Sequence, residues 1–335
     1  MFLSGGIDSS VLLTLMARLN ERPVRTYTAG FGGGAVHDER AHARAVATAL
    51  GADMVEVSFD ETDFWKLLPR IAAAMDDPAA DYAILPTFKL SAAARADGIK
   101  VILSGEGGDE LFAGYGRYRS AMRPWWQGGR SMRMRGIFDR LDVLRERPAG
   151  WRDGLTAAEA MAEFPGRSRL QVAQAVDCAD WLPNDLLIKL DRCLMADGVE
   201  GRTPFLDPLV TEVGYFLPDA LKVRDGLGKW LLRKWLDENL PMARAFERKR
   251  GFSVPVGEWI RAHGERIGPL VARQPGVAAM CDPAAVEKLF VRRDRRAGFA
   301  SWILLFYALW HNHHIVGNRG VDGDAFVVLA DAPAA

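Results

Sequence analysis

Apolar and polar positions follow two alternating periods in the first third of the chain. Short runs of apolar and β-branched residues, typical of buried strands, precede longer segments whose apolar residues recur every three to four positions, as on one face of a helix. The predicted strands span residues 1–3, 25–29, 54–57 and 100–103, and the predicted helices span 9–19, 38–50, 63–75 and 87–96. This alternation predicts an α/β fold over residues 1–120 with a doubly wound parallel sheet.

The pattern changes beyond Arg119, where helical periodicity continues but no further strand is predicted. Residues 121–169, which include glycines and scattered arginines, are predicted to be a linker or mobile segment. Residues 170–316 are predicted to be mostly helical, with helices over 180–196, 209–216, 229–238, 255–262 and 296–311. The tail, 317–335, is expected to be loosely ordered.

Composition restricts the class of protein without identifying it. The 335 residues are 49% hydrophobic and 26% charged, which suits a globular protein with one large core or two packed domains. Forty-three basic and forty-three acidic side chains cancel, whereas a protein that holds RNA or a membrane by charge usually has a basic excess. The basic run 117–135 includes Trp125 and Trp126, which suit stacking on bases, but a helical surface is the favoured interpretation. We therefore predict no nucleic-acid partner.

Cysteine usage and hydropathy indicate the compartment. The three cysteines, at positions 178, 193 and 281, lack the pair spacing of metal or redox sites and indicate reduced thiols. No charged and then apolar signal segment opens the chain, and the apolar run 299–309 is too short to span a bilayer. We therefore predict a cytoplasmic protein with no membrane partner.

The first candidate site is the turn between the first strand and the first helix, which reads SGGIDS from Ser4 to Ser9. Adjacent glycines let backbone N–H groups approach a ligand, and the positive end of the following helix dipole favours an anion. The expected cradle for a polyanion consists of Ser4, Gly5, Gly6, Ser9 and Ser10. Asp8 is expected to bind magnesium, because a carboxylate beside phosphates is repelled unless a divalent cation lies between them. The alternative is that Asp8 and Ser9 only favour the start of the helix.

The second candidate site follows the strand at 100–103 and reads LSGEGGDELFAGY over residues 103–115. Its first part sets Glu106, Asp109 and Glu110 among three glycines, and such a cluster of carboxylates needs a positive partner. A metal together with a substrate ammonium would supply it, and the alternative is a solvated acidic loop. In an open parallel sheet, ligands bind beyond the carboxyl ends of the strands, so both turns are expected to face one crevice.

These residues carry a family resemblance. FLSGGIDSS resembles the pyrophosphatase loop, or PP-loop, of the N-type ATP pyrophosphatases, and LSGEGGDELFAGY resembles the synthetase domain of glutamine-dependent asparagine synthetases. Further similar segments run from residue 1 to about 315: YTAGF at 27–31, PTFKLS at 86–91, VEGRTPFLD at 199–207, GKWLLR at 228–233 and RKRGFSVP at 248–255. The resemblance implies the α/β fold of the PP-loop ATP pyrophosphatases, with ATP and Mg²⁺ as cofactors.

The resemblance also implies a role for each matching residue. Leu3, Ala29, Ser104 and Gly105 match positions that hold adenosine and ribose, while Ser4, Gly5, Gly6, Ser9 and Ser10 match the pyrophosphate cradle. Asp8 and Asp109 fall where the family binds magnesium. Glu106 matches the acid needed to form and use an acyl-adenylate. Lys229 matches the lysine that stabilises charge on the α-phosphate, and Arg248 and Lys249 are expected to assist there.

The implied reaction is amide formation. A carboxylate, by default the β-carboxylate of aspartate, is adenylated with release of pyrophosphate, and ammonia then displaces AMP. The alternatives are an amidotransferase acting on a larger carboxylate, a catalytically incomplete or partner-dependent ATP-binding subunit from a truncated gene, and an RNA-modifying adenylating enzyme.

The chain departs from the family pattern in three places. Met1 lies on the strand before the phosphate loop, so the N-terminal glutaminase domain is expected to be missing and ammonia to come from solution or from a separate glutaminase chain. The first strand is shorter than in the family, from which we predict reduced stability. The segment 79–86 has neither the threonines nor the arginine of a Thr-Thr-x-Arg substrate motif, and Asp76, Asp77 and Asp81 either meet a substrate ammonium or cap helices.

Overall fold

Parallel strands joined by backbone hydrogen bonds form the centre of the computed structural model, which describes residues 1–31, 40–78, 81–129, 132–247 and 254–331. Strand β1 (Arg25–Phe31) pairs with β2 (Asp53–Phe59), and β3 (Val101–Leu103) pairs with β4 (Glu200–Arg202). The predicted strands at 25–29, 54–57 and 100–103 are confirmed. The fold is therefore mixed α/β with parallel strands, and the doubly wound arrangement stays a prediction.

Residues 1–3 connect the two strand pairs. The Leu3 N–H donates to the Tyr27 carbonyl at 2.9 Å on one side, and the Phe2 N–H donates to the Leu103 carbonyl at 3.0 Å on the other. The hydrogen-bonded order is thus β2, β1, residues 1–3, β3 and β4. This order puts the loop after residue 3 beside the loop after β3.

The expectation that strands end at Arg119 is wrong. Strand β4 lies about 80 residues further along the chain, and a short antiparallel hairpin follows in β5 (Val223–Arg224) and β6 (Leu227–Gly228). Glu200 and Arg202 are exposed, so β4 carries no buried apolar pattern and is defined by its backbone pairing alone. The segment called helical therefore contributes a strand to the sheet of the α/β region.

Helices surround the strands, and most of the predicted helices are found within a few residues of their predicted bounds. The helices up to residue 122 are α1 (Ile7–Leu19), α2 (Arg40–Ala49), α3 (Glu61–Ala74), α4 (Ile84–Ala96), α5 (Gly108–Leu111) and α6 (Gly116–Met122). Those that follow are α7 (Asp153–Ala162), α8 (Arg169–Ala179), α9 (Ile188–Met195), α10 (Pro208–Phe216), α11 (Asp219–Lys222), α12 (Trp230–Asn239), α13 (Val256–Ala262), α14 (Gly264–Ala272), α15 (Pro275–Met280), α16 (Pro283–Phe290), α17 (Arg295–His314) and α18 (Ala325–Ala330). A π-helical turn, Leu182–Leu187, leads directly into α9.

The expected linker, 121–169, is attached to the rest of the protein where it is described. Leu141 and Val143 are buried in the largest hydrophobic core, and the Arg145 N–H donates to the Met280 carbonyl at 2.9 Å. Arg133 forms ion pairs with Asp177 and Asp180 of the α8 region, both at 2.7 Å. These contacts, together with helix α7, differ from those expected of a mobile connection.

The C-terminal region also contains more structure than expected. Helix α18 buries Phe326 and Leu329 in the largest core, and Arg273 donates to the Leu329 and Ala330 carbonyls at 3.3 and 3.0 Å. The expectation of a loosely ordered tail is wrong for this helix, whose six residues are too few to give a periodic pattern. In the described part of the chain, no helix combines the length and apolarity that a membrane crossing requires.

Candidate functional site

The two glycine-rich loops meet, as expected, at the end of the parallel strands. A Cβ atom added at Gly105 would lie 3.0 Å from the Cβ of Asp8, and one added at Gly108 would lie 2.5 Å from Asp8 Oδ1. Glycine at both positions therefore lets the loop after β3 pack directly against the aspartate of the first loop. The prediction that both loops face one cleft is confirmed.

Asp8 and Asp109 are joined by one buried ammonium. Lys229, which is 2% exposed, forms an ion pair with Asp8 and a second one with Asp109 at an Nζ to Oδ1 distance of 2.6 Å. Burial alone would lower the pKa of Lys229, but the two carboxylates outweigh burial and raise it above its ordinary value. Lys229 is therefore held as a cation between the two acids.

The backbone aims Lys229 at these acids. Lys229 has a left-handed φ of +59° just before α12, and its N–H donates to the Phe112 carbonyl at 2.8 Å. A Cβ at Gly228 would lie 2.0 Å from the Ala113 carbonyl oxygen, so the hairpin before α12 packs against the chain after α5. A left-handed conformation at a lysine costs free energy and persists where the surroundings impose it. The close approach of these two segments supplies that constraint.

The first loop presents its polar groups to the cleft. Gly5 has a φ of +73°, and the Ser4 and Ser9 hydroxyls lie 3.1 Å apart. The Gly6 N–H donates to the Ser4 hydroxyl at 3.2 Å, and among the described residues no side chain caps the N-terminus of α1. The positive end of a 13-residue helix dipole therefore points toward the cleft, where it favours an anion.

The cleft beside these loops has a volume of about 790 Å³. The predicted site residues that line it are Leu3, Ser4, Gly5, Gly6, Asp8, Ser9, Ala29, Ser104, Gly105, Glu106 and Asp109. Ser10 and Lys229 do not line it. Ser10 is fully buried on the inner side of α1, where its carbonyl accepts a bond from Thr14 Oγ1 at 2.7 Å, so its assignment to the cradle disagrees with its position. Lys229 lies beneath the cleft, against the two aspartates.

A second group of charges lies on another wall of the cleft. Lys189 of α9 is 4% exposed and places Nζ 2.8 Å from Asp81 Oδ2 and 3.5 Å from Glu106 Oε1. Burial would lower the pKa of Lys189, but Glu106 and Asp81 outweigh it and raise that pKa. Burial would also raise the pKa of Asp81, but the Lys189 ammonium holds it below its ordinary value. Asp81 is therefore engaged by a lysine as well as by the start of α4, where it accepts a bond from the Ala83 N–H.

Glu110 differs from the other acids of its loop. It is 1% exposed, and burial raises its pKa to about 7. The Tyr115 hydroxyl donates to Glu110 Oε1 at 2.7 Å, and the Gln174 amide donates to the Glu110 carbonyl. Glu110 thus points into the interior while Glu106 and Asp109 line the cleft.

Some predicted residues lie outside the described part of the chain, and some contributors were not predicted. Arg248 and Lys249 are outside it, so their expected role at the phosphates stays a prediction. Lys189 and Arg233 line the cleft but were not singled out from the sequence. Each lies on the buried face of its helix, where the helical period predicts an apolar residue. A charged residue at such a position was the sequence signal that could have identified it.

Fold and site together define an α/β protein with a cleft suited to a polyanion, built from two glycine-rich acidic loops at the ends of parallel strands. The sequence profile of the asparagine synthase family matches residues 1–312. The chain therefore belongs to the asparagine synthase family, as the sequence resemblance indicated.

Individual relatives agree with this assignment. The chain is 33% identical to putative glutamine-hydrolysing asparagine synthetases of Mycobacterium bovis and Mycobacterium tuberculosis, over 92% of this chain and 54% of each relative. It is 28% identical to the glutamine-hydrolysing asparagine synthetase 1 of Bacillus subtilis, over 94% of this chain and 56% of that protein. The chain thus spans about half the length of these curated relatives.

Proposed function

We propose that this chain is an ATP-dependent, amide-forming ligase that activates a carboxylate as an acyl-adenylate and transfers ammonia to it. The observation that supports this most strongly is the meeting of Asp8 and Asp109, from two separate loops, on one buried Lys229 beside the cleft. An ammonium next to two carboxylates and a helix N-terminus suits the binding of a triphosphate.

Each part of the cleft has a role in the first half of the reaction. The first loop and the N-terminus of α1 bind the pyrophosphate part of ATP through N–H groups and the hydroxyls of Ser4 and Ser9. Leu3, Ala29 and Ser104, which also line the cleft, hold adenosine and ribose. Lys229 stabilises negative charge that develops as the substrate carboxylate attacks the α-phosphorus and pyrophosphate leaves.

The donor set fits a magnesium ion. Magnesium is usually held by one or two carboxylates together with substrate phosphates, and Asp8 and Asp109 supply two carboxylates at the cleft. Among the described residues, no group of three or more His, Cys, Asp or Glu is arranged to hold a metal ion, so phosphates would complete the coordination. When bound, the ion would offset phosphate charge and orient the leaving group.

Glu106 acts in the second half of the reaction. The ammonia nitrogen attacks the acyl carbon, the bond from that carbon to the AMP oxygen breaks, and AMP leaves with the bonding electrons. The attacking nitrogen must lose a proton, and the Glu106 carboxylate at the cleft wall accepts it. The products are the amide and AMP.

Aspartate is the default substrate, and a larger carboxylate is the second candidate. Asp81, one of three acids considered for a substrate ammonium, is occupied by Lys189. Ammonia comes from solution or from a glutaminase.

Pyrophosphate release tests the proposal. The chain is incubated with Mg-ATP, ammonium and either aspartate or a series of larger carboxylates, and each component is omitted in turn. Release that requires a carboxylate, with an equal amount of amide, is expected. Asp8→Ala and Glu106→Ala should abolish amide formation, whereas Glu238→Ala, at an exposed position of α12, should retain it.

Other results would point elsewhere. Nucleotide binding without release under any condition would favour a partner-dependent subunit, and release that requires tRNA would favour an RNA-modifying enzyme. Full activity of Asp8→Ala or Glu106→Ala would contradict the role given to that residue.

A further inference from the structure

The charge group formed by Asp81, Lys189 and Glu106 is connected to the cleft but is separate from the two aspartates on Lys229. Asp81 precedes α4, Lys189 lies on α9, and Glu106 follows β3, so three distant segments meet at one ammonium. Lys189 and Glu106 both line the cleft. A buried lysine in contact with two acids at a cleft wall requires an explanation, because burying a charge is costly unless it is paired.

The position of Lys189 is fixed by packing. Its neighbours Leu190 and Leu194 are buried in one cluster with Leu90 and Ile102, against α4 and β3. The Cys193 thiol contacts the Ile84 carbonyl at 3.6 Å, at the start of α4. The ammonium therefore has little freedom to follow a displaced partner.

Asp81 is fixed as well. Its Oδ2 accepts from Lys189 at 2.8 Å, while its Oδ1 accepts from the Ala83 N–H at 2.9 Å. Both carboxylate oxygens are thus committed to groups within the protein. Burial and these two bonds make the pair of Asp81 and Lys189 a rigid support.

Glu106 is the member of the group that is free to act on a substrate. Its contact with Lys189 is longer, at 3.5 Å, and its side chain keeps about a quarter of its exposure. The Lys189 ammonium contacts the carboxylates of Asp81 and Glu106 and also interacts with that of Asp185, so the group as a whole keeps a net negative charge. This charge suits a group that accepts a proton from an attacking amine.

We infer that Lys189, held by Asp81, is a positioning residue that sets the place of the Glu106 carboxylate for ammonia attack. The inference rests on the proposed function, and it assigns a role to a residue that does not itself touch the reacting atoms. Displacement of a reacting group by about 1 Å is enough to reduce a rate by about 100-fold. Loss of Lys189 should therefore affect amide formation more than the preceding release of pyrophosphate.

The test measures amide formed per pyrophosphate released. Lys189→Met removes the ammonium at similar side-chain length, and Lys189→Arg retains a cation. Lys89→Met is the matched control, because Lys89 lies on α4 and pairs with Asp63 outside the cleft. All variants are compared by circular dichroism and by ATP binding before activity is measured.

We expect Lys189→Met to lower the ratio of amide to pyrophosphate by about tenfold to 100-fold, because a displaced Glu106 slows the attack of ammonia and water hydrolyses the adenylate instead. Lys189→Arg should recover most of the ratio, and Lys89→Met should leave it unchanged. A folded Lys189→Met variant with the wild-type ratio, or with both rates reduced in proportion, would overturn the inference alone. A wild-type chain that releases no pyrophosphate with any carboxylate would overturn the proposed function, and this inference with it.

Discussion

Replacing Lys229 by methionine tests the charge balance on which the site depends. The side chain is 2% exposed, and its ammonium is shared by Asp8 and Asp109, whose side chains are 14% and 19% exposed. The substitution keeps the length of the side chain but leaves two carboxylates facing each other in a poorly solvated place. Breaking a buried ion pair by removing one partner costs about 3–5 kcal/mol.

This cost should appear as a change in melting temperature. Unfolding entropy of about 2.1 cal/mol/K per residue amounts to roughly 0.7 kcal/mol/K for 335 residues, so the loss corresponds to about 4–7 °C. The pH of the measurement must be chosen from the direction of the Lys229 pKa shift. The pKa of Lys229 is raised in the folded state, so its stabilisation is complete below its unfolded pKa and is lost only as the pH rises through the folded pKa. A measurement near neutral pH therefore records the whole effect.

Thermal melts in EDTA and in excess Mg²⁺ provide the assay. In EDTA, Lys229→Met should melt about 4–7 °C below the wild type, and Mg²⁺ should recover part of the loss, because the ion replaces the missing positive charge. Lys234→Met, an exposed lysine on the same helix, should change stability by no more than about 0.5 kcal/mol. The reasoning is refuted if Lys229→Met and Lys234→Met have the same melting temperature in EDTA.

Three further predictions address other parts of the protein. Gly114→Ala places a Cβ 1.8 Å from Asp109 Oδ1, so urea unfolding should show a loss of stability of about 1–3 kcal/mol, and pyrophosphate release should be lost. A variant that is as stable and as active as the wild type would contradict this. The raised folded-state pKa of Glu110 makes the wild type lose stability between about pH 4.5 and about pH 7, so the stability advantage of Glu110→Gln should grow over that range and then stay constant. Parallel curves of unfolding free energy against pH for the two proteins would rule this out. Asp177→Asn leaves Arg117 and Arg133 without their shared buried carboxylate and should cost about 3–5 kcal/mol in the same urea assay, and a change below 1 kcal/mol would exclude the assigned role.

Local patterns explain which parts of the fold were predictable. The strands at 25–29, 54–57 and 100–103 carry enough apolar residues to be recognised from the sequence. The glycines of the two loops predict turns directly. Strand β4 and helix α18 escaped prediction because one has exposed side chains and the other has only six residues.

Helix geometry explains why Ser9 lines the cleft and Ser10 does not. Ser9 and Ser10 are adjacent in sequence, but successive residues of an α-helix point in directions about 100° apart. Ser9 consequently lines the cleft, while Ser10 is buried on the inner side of α1. A resemblance between segments gives positions along the chain but not the direction of each side chain.

The sequence by itself determined the family, the parallel strands β1, β2 and β3 and the two acidic glycine-rich loops, because each of these is recorded in residues close together along the chain. Only the tertiary structure decided which cations meet those acids. Lys229 lies 221 residues from Asp8, and Lys189 lies 108 residues from Asp81, so their pairing depends on how α12 and α9 pack against the sheet. Packing in the interior brings together charged residues that are far apart in sequence and that no local sequence pattern connects. Because both lysines are buried, these ion pairs affect stability and, as we propose, catalysis.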